Sequence, residues 1–448
     1  MFKRHHHSFA RGIHVNDYKD ETCHLPIKRF PFAPLLILPL QQHIGKPAIA
    51  VVREDQEVQR GQVIARADGR MSVPLHAPVS GVVKKIAPAP SISGHMVTGI
   101  YLQTFPGATQ EVVEGTACDW QQASAQQIAQ AIQGAGIVGL GGAAFPTHVK
   151  LQPPPDKVID TLIINGVECE PYLTTDHRVM LEQTQDIITG IRYLLIVSSA
   201  PRAIIGVEAN KADAAEALRK AVPDDLPVTV HVLPVKYPQG AEKMLIKALL
   251  GREIPPGSHA YDAGVVGVNA ATAAEIGRLL PLGRGIQERV ITVGGPGIIN
   301  KGNYRIPIGT PLRFVLETAG VREDISRVFL GGPMMGQAAP NLDIVITKGV
   351  SGVIAFTQQE FDQQQRIYHC IHCGRCVDAC PMGLNPAQLG QLAQQQDYQS
   401  MAQSFHLRDC FECGICSFVC PSHIPLVQYF RVAKSQVNKQ KAEKQQAA

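Results

Sequence analysis

The sequence predicts a multidomain α+β protein with four folded regions: a small N-terminal all-β barrel-sandwich, an α/β domain with a mostly parallel sheet, a compact β-grasp insert, and a helical, cysteine-rich C-terminal module. Three observations predict it. Over residues 48–86 short β-branched runs are broken by Gly61, Gly69 and Gly81; over 158–269 strand-like and helix-like stretches alternate; and eight of the eleven cysteines crowd into 370–420. A chain of 448 residues, 45% hydrophobic and 18% charged, carries enough apolar side chain for several cores, which excludes a disordered or collagen-like protein.

Charge is nearly balanced, with 42 Lys and Arg against 38 Asp and Glu, so no global electrostatic case for nucleic acid exists. The best apolar stretches, 33–40 and 193–197, are far shorter than the roughly 20 residues a bilayer span needs. The first residues, with His5, His6 and His7 followed by Arg11 and Asp17, lack the apolar stretch and cleavage site of a secretory signal, so a cytoplasmic location is expected.

In the N-terminal region, residues 49–52, 63–65 and 79–86 read as strands of a small sandwich. The texture of Val58-Gln59-Arg60-Gly61-Gln62 and Ala77-Pro78-Val79-Ser80-Gly81-Val82-Val83 resembles the biotinyl or lipoyl carrier hammerhead. No lysine occurs over 61–83 to carry a cofactor, so a structural docking module is expected. In the α/β region an Ala/Gln-rich helix over 124–133 runs into a glycine-rich loop. Strands at 158–165, 203–208, 228–235 and 264–268 then alternate with helices at 212–221, at about 239–250 and from Asn269 onward, the order of a parallel, helix-covered sheet. Over 289–336 short strands at 290–293 and 304–308 and the run Val328-Phe329-Leu330 surround one helix near 312–319. The basic, Gln-rich tail after Phe430 reads as a solvated, frayed end.

The strongest signal is a tandem motif. Cys370-x2-Cys373-x2-Cys376-x3-Cys380-Pro381 and Cys410-x2-Cys413-x2-Cys416-x3-Cys420-Pro421 are two copies of the bacterial ferredoxin run, whose fourth cysteine ligates the other cluster. Cys370, Cys373, Cys376 and Cys420 are therefore expected to hold one [4Fe-4S] cluster, and Cys380, Cys410, Cys413 and Cys416 the other. Structural zinc also takes four thiolates, but its sites offer separated Cys-x2-Cys pairs. Asn385-Pro386 is expected to cap and open one helix through about Met401.

Gly134, Gly136 and Gly139 satisfy G-x-G-x-x-G, yet the loop follows a helix instead of a strand, so it is a weak dinucleotide fingerprint. Glycines this dense suit close approach of backbone N–H groups to a phosphate or flat ring. Asn165, Glu168 and Glu170 at the end of the first sheet strand, Tyr237 to Gly240 at the end of the third, and Asn269 before the last helix are expected to line one crevice, where acidic groups suit ribityl or ribose hydroxyls.

The stretches Gly139-Leu140-Gly141-Gly142-Ala143-Ala144-Phe145-Pro146-Thr147-His148-Val149-Lys150, Asn165-Gly166-Val167-Glu168-Cys169-Glu170-Pro171 and Tyr237-Pro238-Gln239-Gly240-Ala241-Glu242-Lys243 resemble the flavin- and NADH-binding subunit of respiratory complex I. That subunit lacks the ferredoxin motifs. With Gly12-Ile13-His14, Pro39-Leu40-Gln41-Gln42-His43-Ile44-Gly45 and the hammerhead, the chain over about 10–430 resembles the RnfC (RsxC) family, the C subunits of ion-translocating Rnf electron transport complexes.

The resemblance implies a barrel-sandwich domain at 1–115, an FMN- and NADH-binding α/β domain at 120–285, a soluble-ligand-binding (SLBB-like) β-grasp domain at 286–345, a two-[4Fe-4S] ferredoxin-type domain at 360–432 and a basic tail at 433–448. It implies that Gly139, Gly141, Gly142 and Lys150 approach the FMN phosphate, that Asn165 and Glu168 line its ribityl chain and ring, that Asn269 also touches FMN, that Phe145, Glu170 and Tyr237 bind cofactor as well, and that Gly240 and Glu242 face the nicotinamide side, with Glu242 and Lys243 as catalytic candidates. Leu140 and Val167 depart from the complex I pattern, where a basic and an acidic residue stand. The implied activity passes electrons from NADH through FMN to the two clusters and on to other Rnf subunits, integral membrane subunits and an iron-sulfur subunit among them, from the cytoplasmic side of the bacterial inner membrane. Two other readings share these residues: a soluble flavin and iron-sulfur cobalamin reductase, set apart by the N-terminal module, and a non-catalytic wiring subunit, in which Glu242→Ala would leave NADH oxidation untouched.

Overall fold

The computed structural model describes residues 8–361 and 366–446, so His5, His6 and His7 lie outside the described residues. The chain divides into two compact units, a larger one of Asp17–Leu233 with Ala260–Phe361 and a smaller one of Met1–Asn16, Pro234–His259 and Asp362–Ala448.

The larger unit holds three β-containing regions. In the first, an antiparallel four-stranded sheet, ordered Leu35–Pro39, Met96–Thr104, Gly81–Pro90 and Glu57–Val58, shares a core with a three-stranded sheet of Ile49–Ala50, Val63–Arg66 and Leu75–His76. Leu36, Leu38, Ile64, Leu75, Val83, Ile100 and Leu102 fill it. The sandwich is narrower than the 1–115 of the sequence reading. Ile27–Arg29 leaves it to pair in parallel with Gly302–Pro307 in another sheet, and residues 8–16 belong to the smaller unit.

The second region is a parallel four-stranded sheet in the order Val228–Leu233, Ala203–Glu208, Thr161–Gly166, Val265–Asn269. Leu162, Ile163 and Ile164 are all buried, as a strand covered by helices on both faces requires. Its first strand begins at Thr161, three residues later than the sequence suggests, because the Lys157 N–H closes a turn on the Pro154 carbonyl and leaves Val158 exposed. The preceding helix Ala125–Gly134 starts on a reciprocal cap: Ser124 Oγ accepts the Gln127 N–H, and Gln127 Oε1 accepts the Ser124 N–H. Two helices escape the sequence reading, Thr175–Glu182 and Thr184–Ser198. Gly190 interrupts the apolar pattern of the second, and packing explains it. A Cβ there would lie 1.9 Å from the Ala273 carbonyl oxygen, and one at Gly277 would lie 1.9 Å from that of Asp186, so the helices Thr184–Ser198 and Ala270–Leu279 touch backbone to backbone.

The third region is a six-stranded mixed sheet ordered Ile27–Arg29, Gly302–Pro307, Glu288–Gly294, Gly352–Thr357, Ile325–Leu330 and Gln337–Ala338, with the helix Leu312–Ala319 packed on it. The boundary expected at 345 falls short, since Gly352–Thr357 is an interior strand, buried along its whole length and thus lacking the alternation that marks a half-exposed strand.

In the smaller unit the helices Pro386–Gln394, Tyr398–Gln403 and Leu426–Gln446 pack Leu389, Leu392, Met401, Leu426, Phe430 and Ala433 into one core. The single helix expected over 385–401 is broken. Asn385 does cap it, but Gln396 turns left-handed and the Asp397 side chain caps a new helix through the Ser400 N–H. The tail, expected to fray after Phe430, continues as helix to Gln446, with Ala433 and Val437 buried.

Candidate cofactor sites

Eight thiols gather in two sets of four within the smaller unit. Burial pushes the Cys376 thiol up, and its thiol neighbours are Cys420, Cys373 and Cys370. Burial pushes Cys413 up to about 12, with Cys410 and Cys380 beside it, and Cys416 rises for the same reason among Cys410, Cys413 and Cys380. The fourth cysteine of each motif thus stands with the first three of the other. Among the described residues no three of His, Cys, Asp and Glu converge tightly enough to share one metal ion. Sets of four soft thiolates suit a multi-iron cluster, which takes one thiolate to each iron.

Backbone conformation repeats between the motifs. His372 and Gly374 flank Cys373 with φ of 55° and 76°, and Glu412 and Gly414 flank Cys413 with φ of 63° and 83°. Left-handed residues on either side of a ligand turn successive N–H groups toward one centre, the geometry that receives anionic sulfur. The surroundings differ. Cys373 is exposed, and beside it Ile367, Tyr368 and Ile371 are more than half exposed around a cavity of about 210 Å³ lined by Cys370, Cys373, Cys376 and Cys420. Cys416 is buried, and Lys434 donates to the Cys410 carbonyl while pairing with Glu412.

In the larger unit the glycine loop lies against the carboxyl end of the parallel sheet. It is closed on itself by the Gly139 N–H on the Phe145 carbonyl (2.8 Å) and the Ala144 N–H on the Gly139 carbonyl (3.1 Å). The Leu140 N–H donates to Thr272 Oγ1 (2.9 Å), tying the loop to the last helix. Gly141 packs on Asn269, where a Cβ would sit 3.3 Å from its side chain; Gly142, with φ of 109°, faces open space, and Gly141, Gly142 and Ala143 are exposed. The result is a cradle of backbone with one open face. Lys150 ends the short helix Thr147–Lys150 and is half-buried.

Asn165 and Asn269 stand opposite each other in register at the ends of adjacent parallel strands. Asn165 Oδ1 accepts the Val167 N–H, while Asn269 Oδ1 caps its helix by accepting from Ala271 and Thr272. The two glutamates expected to meet hydroxyls both accept backbone N–H groups. Glu168 is buried and accepts the Asp176 and His177 N–H groups at the start of Thr175–Glu182, and Glu170 accepts those of Met334 (3.0 Å) and Met335 (2.8 Å). A Cβ at Gly332 would lie 2.0 Å from Glu170 Oε2, so the turn after Ile325–Leu330 wraps this carboxylate.

Sequence reasoning missed three charges behind the loop, Asp176 half-buried and Arg289 and Lys348 buried. Asp176 Oδ2 accepts Asn269 Nδ2 at 2.6 Å, and burial, then the Glu168 carboxylate, push its carboxyl up to about 7. Arg289 donates to the Leu140 (2.8 Å) and Val350 (3.2 Å) carbonyls, and burial brings its guanidinium down to about 10. Lys348 donates to the Pro74 (2.8 Å) and Gly136 (2.7 Å) carbonyls, and burial brings its ammonium down to about 7. For Arg289 the available signal was the charged pair Glu288-Arg289 opening an otherwise uncharged strand that is buried throughout.

Tyr237, Gly240, Glu242 and Lys243 belong to the smaller unit, with the thiols. Tyr237 is buried and its hydroxyl donates to the Cys413 carbonyl (2.6 Å); Glu242 opens the helix Glu242–Leu250, and Lys243 Nζ lies 3.7 Å from Asp409.

Family models match along the chain: the RnfC barrel sandwich hybrid domain over residues 7–104, the Nuo51 FMN-binding domain over 132–278 and a 4Fe-4S dicluster domain over 369–424. The C subunit of the proton-translocating ferredoxin:NAD(+) oxidoreductase complex of Clostridium ljungdahlii is 42% identical over 98% of this chain and 96% of its own. The chain belongs to the RnfC family. Its Na(+)-translocating counterpart in Acetobacterium woodii is 40% identical over 96% of this chain and 97% of its own. The Haemophilus influenzae (strain Rd) family member, the C subunit of an ion-translocating oxidoreductase complex, is longer, and this chain covers 52% of it at 40% identity. An NAD+-reducing [NiFe]-hydrogenase crystal structure matches with a TM-score of 0.50 and 17% identity over 71% of this chain and 68% of that one, a likeness of fold. No helix among the described residues is long and apolar enough to cross a membrane.

Proposed function

We propose that this RnfC-family chain is the NADH-oxidising peripheral subunit of a membrane-bound, ion-translocating complex, carrying electrons through FMN and two [4Fe-4S] clusters to its partner subunits. The observation that carries the proposal is the presence in one chain of a backbone-lined cradle at the carboxyl end of a parallel sheet and of two interleaved sets of four thiols. When bound, FMN supplies a carrier that takes electrons in a pair and gives them up singly.

The chain's own groups do the holding. Gly139, Gly141, Gly142 and Lys150 receive the phosphate, since the loop bares backbone where side chains would block it. Asn165 and Asn269, set side by side in register, line the ribityl chain and ring, and Asp176 fixes the Asn269 amide. Glu168 and Glu170 support this wall from behind through the backbone groups they bind. Gly240, Glu242 and Lys243 serve the nicotinamide by motif position. Cys370, Cys373, Cys376 and Cys420 hold one cluster, Cys380, Cys410, Cys413 and Cys416 the other. The exposed apolar collar around the first motif suits handover to another redox subunit, because a dry, close contact shortens the electron's path. The six-stranded domain is read as the SLBB-like β-grasp module, and the setting as the cytoplasmic face of the bacterial inner membrane.

The test is anaerobic purification, assay of FMN, iron and sulfide, and titration with NADH. Bound FMN and two clusters that bleach with NADH are expected. Protein that takes up no FMN on reconstitution and shows no NADH-dependent bleaching refutes the proposal, and unchanged NADH oxidation by Glu242→Ala favours a wiring subunit.

A further inference from the structure

The second cysteine motif is held from outside at two of its ligand peptides. The Tyr237 hydroxyl donates to the carbonyl of Cys413 at 2.6 Å, and Lys434 Nζ donates to the carbonyl of Cys410. Neither donor comes from the motif. Tyr237 lies 173 positions before the first cysteine of that motif, since 410 minus 237 is 173, and Lys434 lies on the terminal helix Leu426–Gln446.

The Tyr237 phenol is clamped. Its residue is 1% exposed, its N–H donates to the Ile13 carbonyl (2.9 Å), and its own carbonyl accepts the Ile13 N–H (3.0 Å). The neighbouring Gly12 N–H donates in turn to the Ala379 carbonyl, one residue before Cys380, a member of the same thiol set. The bridge thus fixes the Tyr237 backbone, and burial holds the ring against the Cys413 carbonyl. Lys434 is fixed similarly by Glu412, at 2.8 Å, and Arg431 holds the other oxygen of that carboxylate at 3.1 Å.

A trans peptide sets its C=O and N–H on opposite sides. A donor fastened to the Cys413 carbonyl thus turns the Gly414 N–H the other way, and Gly414 itself is left-handed, with φ of 83°. A hydrogen bond to the carbonyl also polarises the peptide and strengthens its N–H as a donor. Hydrogen bonds to sulfur are one of the levers that set an iron-sulfur potential, because they stabilise the more negative, reduced cluster.

We propose that Tyr237 and Lys434 are positioning residues that raise the reduction potential of the cluster held by Cys380, Cys410, Cys413 and Cys416, acting through the Cys413 and Cys410 peptides. This rests on the reading of that set as a [4Fe-4S] site. It gives Tyr237 a partner in the cluster module, and both donors act on peptides of the second motif.

The test is a redox titration of the full chain with both clusters loaded, followed by electron paramagnetic resonance, for Tyr237→Phe and Lys434→Met. Tyr237→Phe deletes one hydroxyl and keeps the ring in its core. One midpoint is expected to fall by a tenfold change in the reduction equilibrium, 59 mV for one electron, while the other stays, and Lys434→Met is expected to lower that same midpoint. Two loaded clusters with unmoved midpoints in both variants, or equal shifts of both clusters, overturn the tuning role. Should Tyr237→Phe fail to load, the Lys434→Met midpoint alone decides. A parent chain that binds no iron overturns the cluster reading instead, so the two failures are told apart.

Discussion

Asn269 donates its side-chain amide to the Asp176 carboxylate at 2.6 Å while its carbonyl oxygen caps the helix Ala270–Leu279. One side chain thereby joins the end of a parallel strand, the start of two helices and, through Gly141, the glycine loop. Burial and the Glu168 carboxylate hold the Asp176 proton to about pH 7, against 3.8 for a free carboxyl. The folded state then binds more protons than the unfolded one between about pH 4 and 7, so this group makes stability fall as pH rises through that window. Asp176→Asn keeps an acceptor for Asn269 and removes the titration. Thermal melts across the window are expected to show a flatter pH profile than the parent and a higher Tm above pH 7.

The glycine cradle predicts a separation of folding from flavin retention. Gly142→Ala meets no atom within 4 Å, so its folded-state cost is the left-handed strain at φ 109°, about 1–2 kcal/mol. Its methyl, however, projects into the open face. The variant is expected to fold with a circular dichroism spectrum like the parent's and to lose most of its bound FMN, read from the flavin absorbance of the purified protein.

Glu170 predicts the reverse. Glu170→Ala strands the Met334 and Met335 N–H groups around the Gly332 turn, at a cost of roughly 1–3 kcal/mol. A lowered denaturant midpoint with parental FMN content is expected; a parental midpoint with lost flavin would show that Glu170 meets the cofactor instead.

The interleaved thiols predict which cluster each fourth cysteine serves. Cys420 stands with Cys370, Cys373 and Cys376. Cys420→Ser is therefore expected to abolish the first-motif cluster and spare the second, leaving one paramagnetic signal on reduction. Loss of the second-motif signal instead would reverse the assignment.

Close helix contact predicts a stability hot point remote from any cofactor. Gly190→Ala places a methyl 1.9 Å from the Ala273 carbonyl and forces the helices Thr184–Ser198 and Ala270–Leu279 apart, at a cost of roughly 3 kcal/mol. A fall in Tm is expected even in protein stripped of flavin.

Local features were legible in the order of residues alone. Tandem cysteine spacing, the alternation around the parallel strands, the Asn385 cap and the dense glycines of 134–142 are short-range patterns, and short-range geometry reads them. The same reading put Asn165 and Asn269 at strand ends, where the register then set them face to face. Where distant segments meet was settled by packing. Nothing near Ile27–Arg29 announces that it joins the sheet of Gly302–Pro307, nor do Glu168 and Glu170 reveal that backbone N–H groups from Asp176 and Met334 claim their carboxylates. Asp176 and Lys348 look like ordinary surface charges in one dimension. Their role follows from burial, which forces each to find its partner across the fold, and a buried charge is specified by what surrounds it and not by its neighbours in the chain.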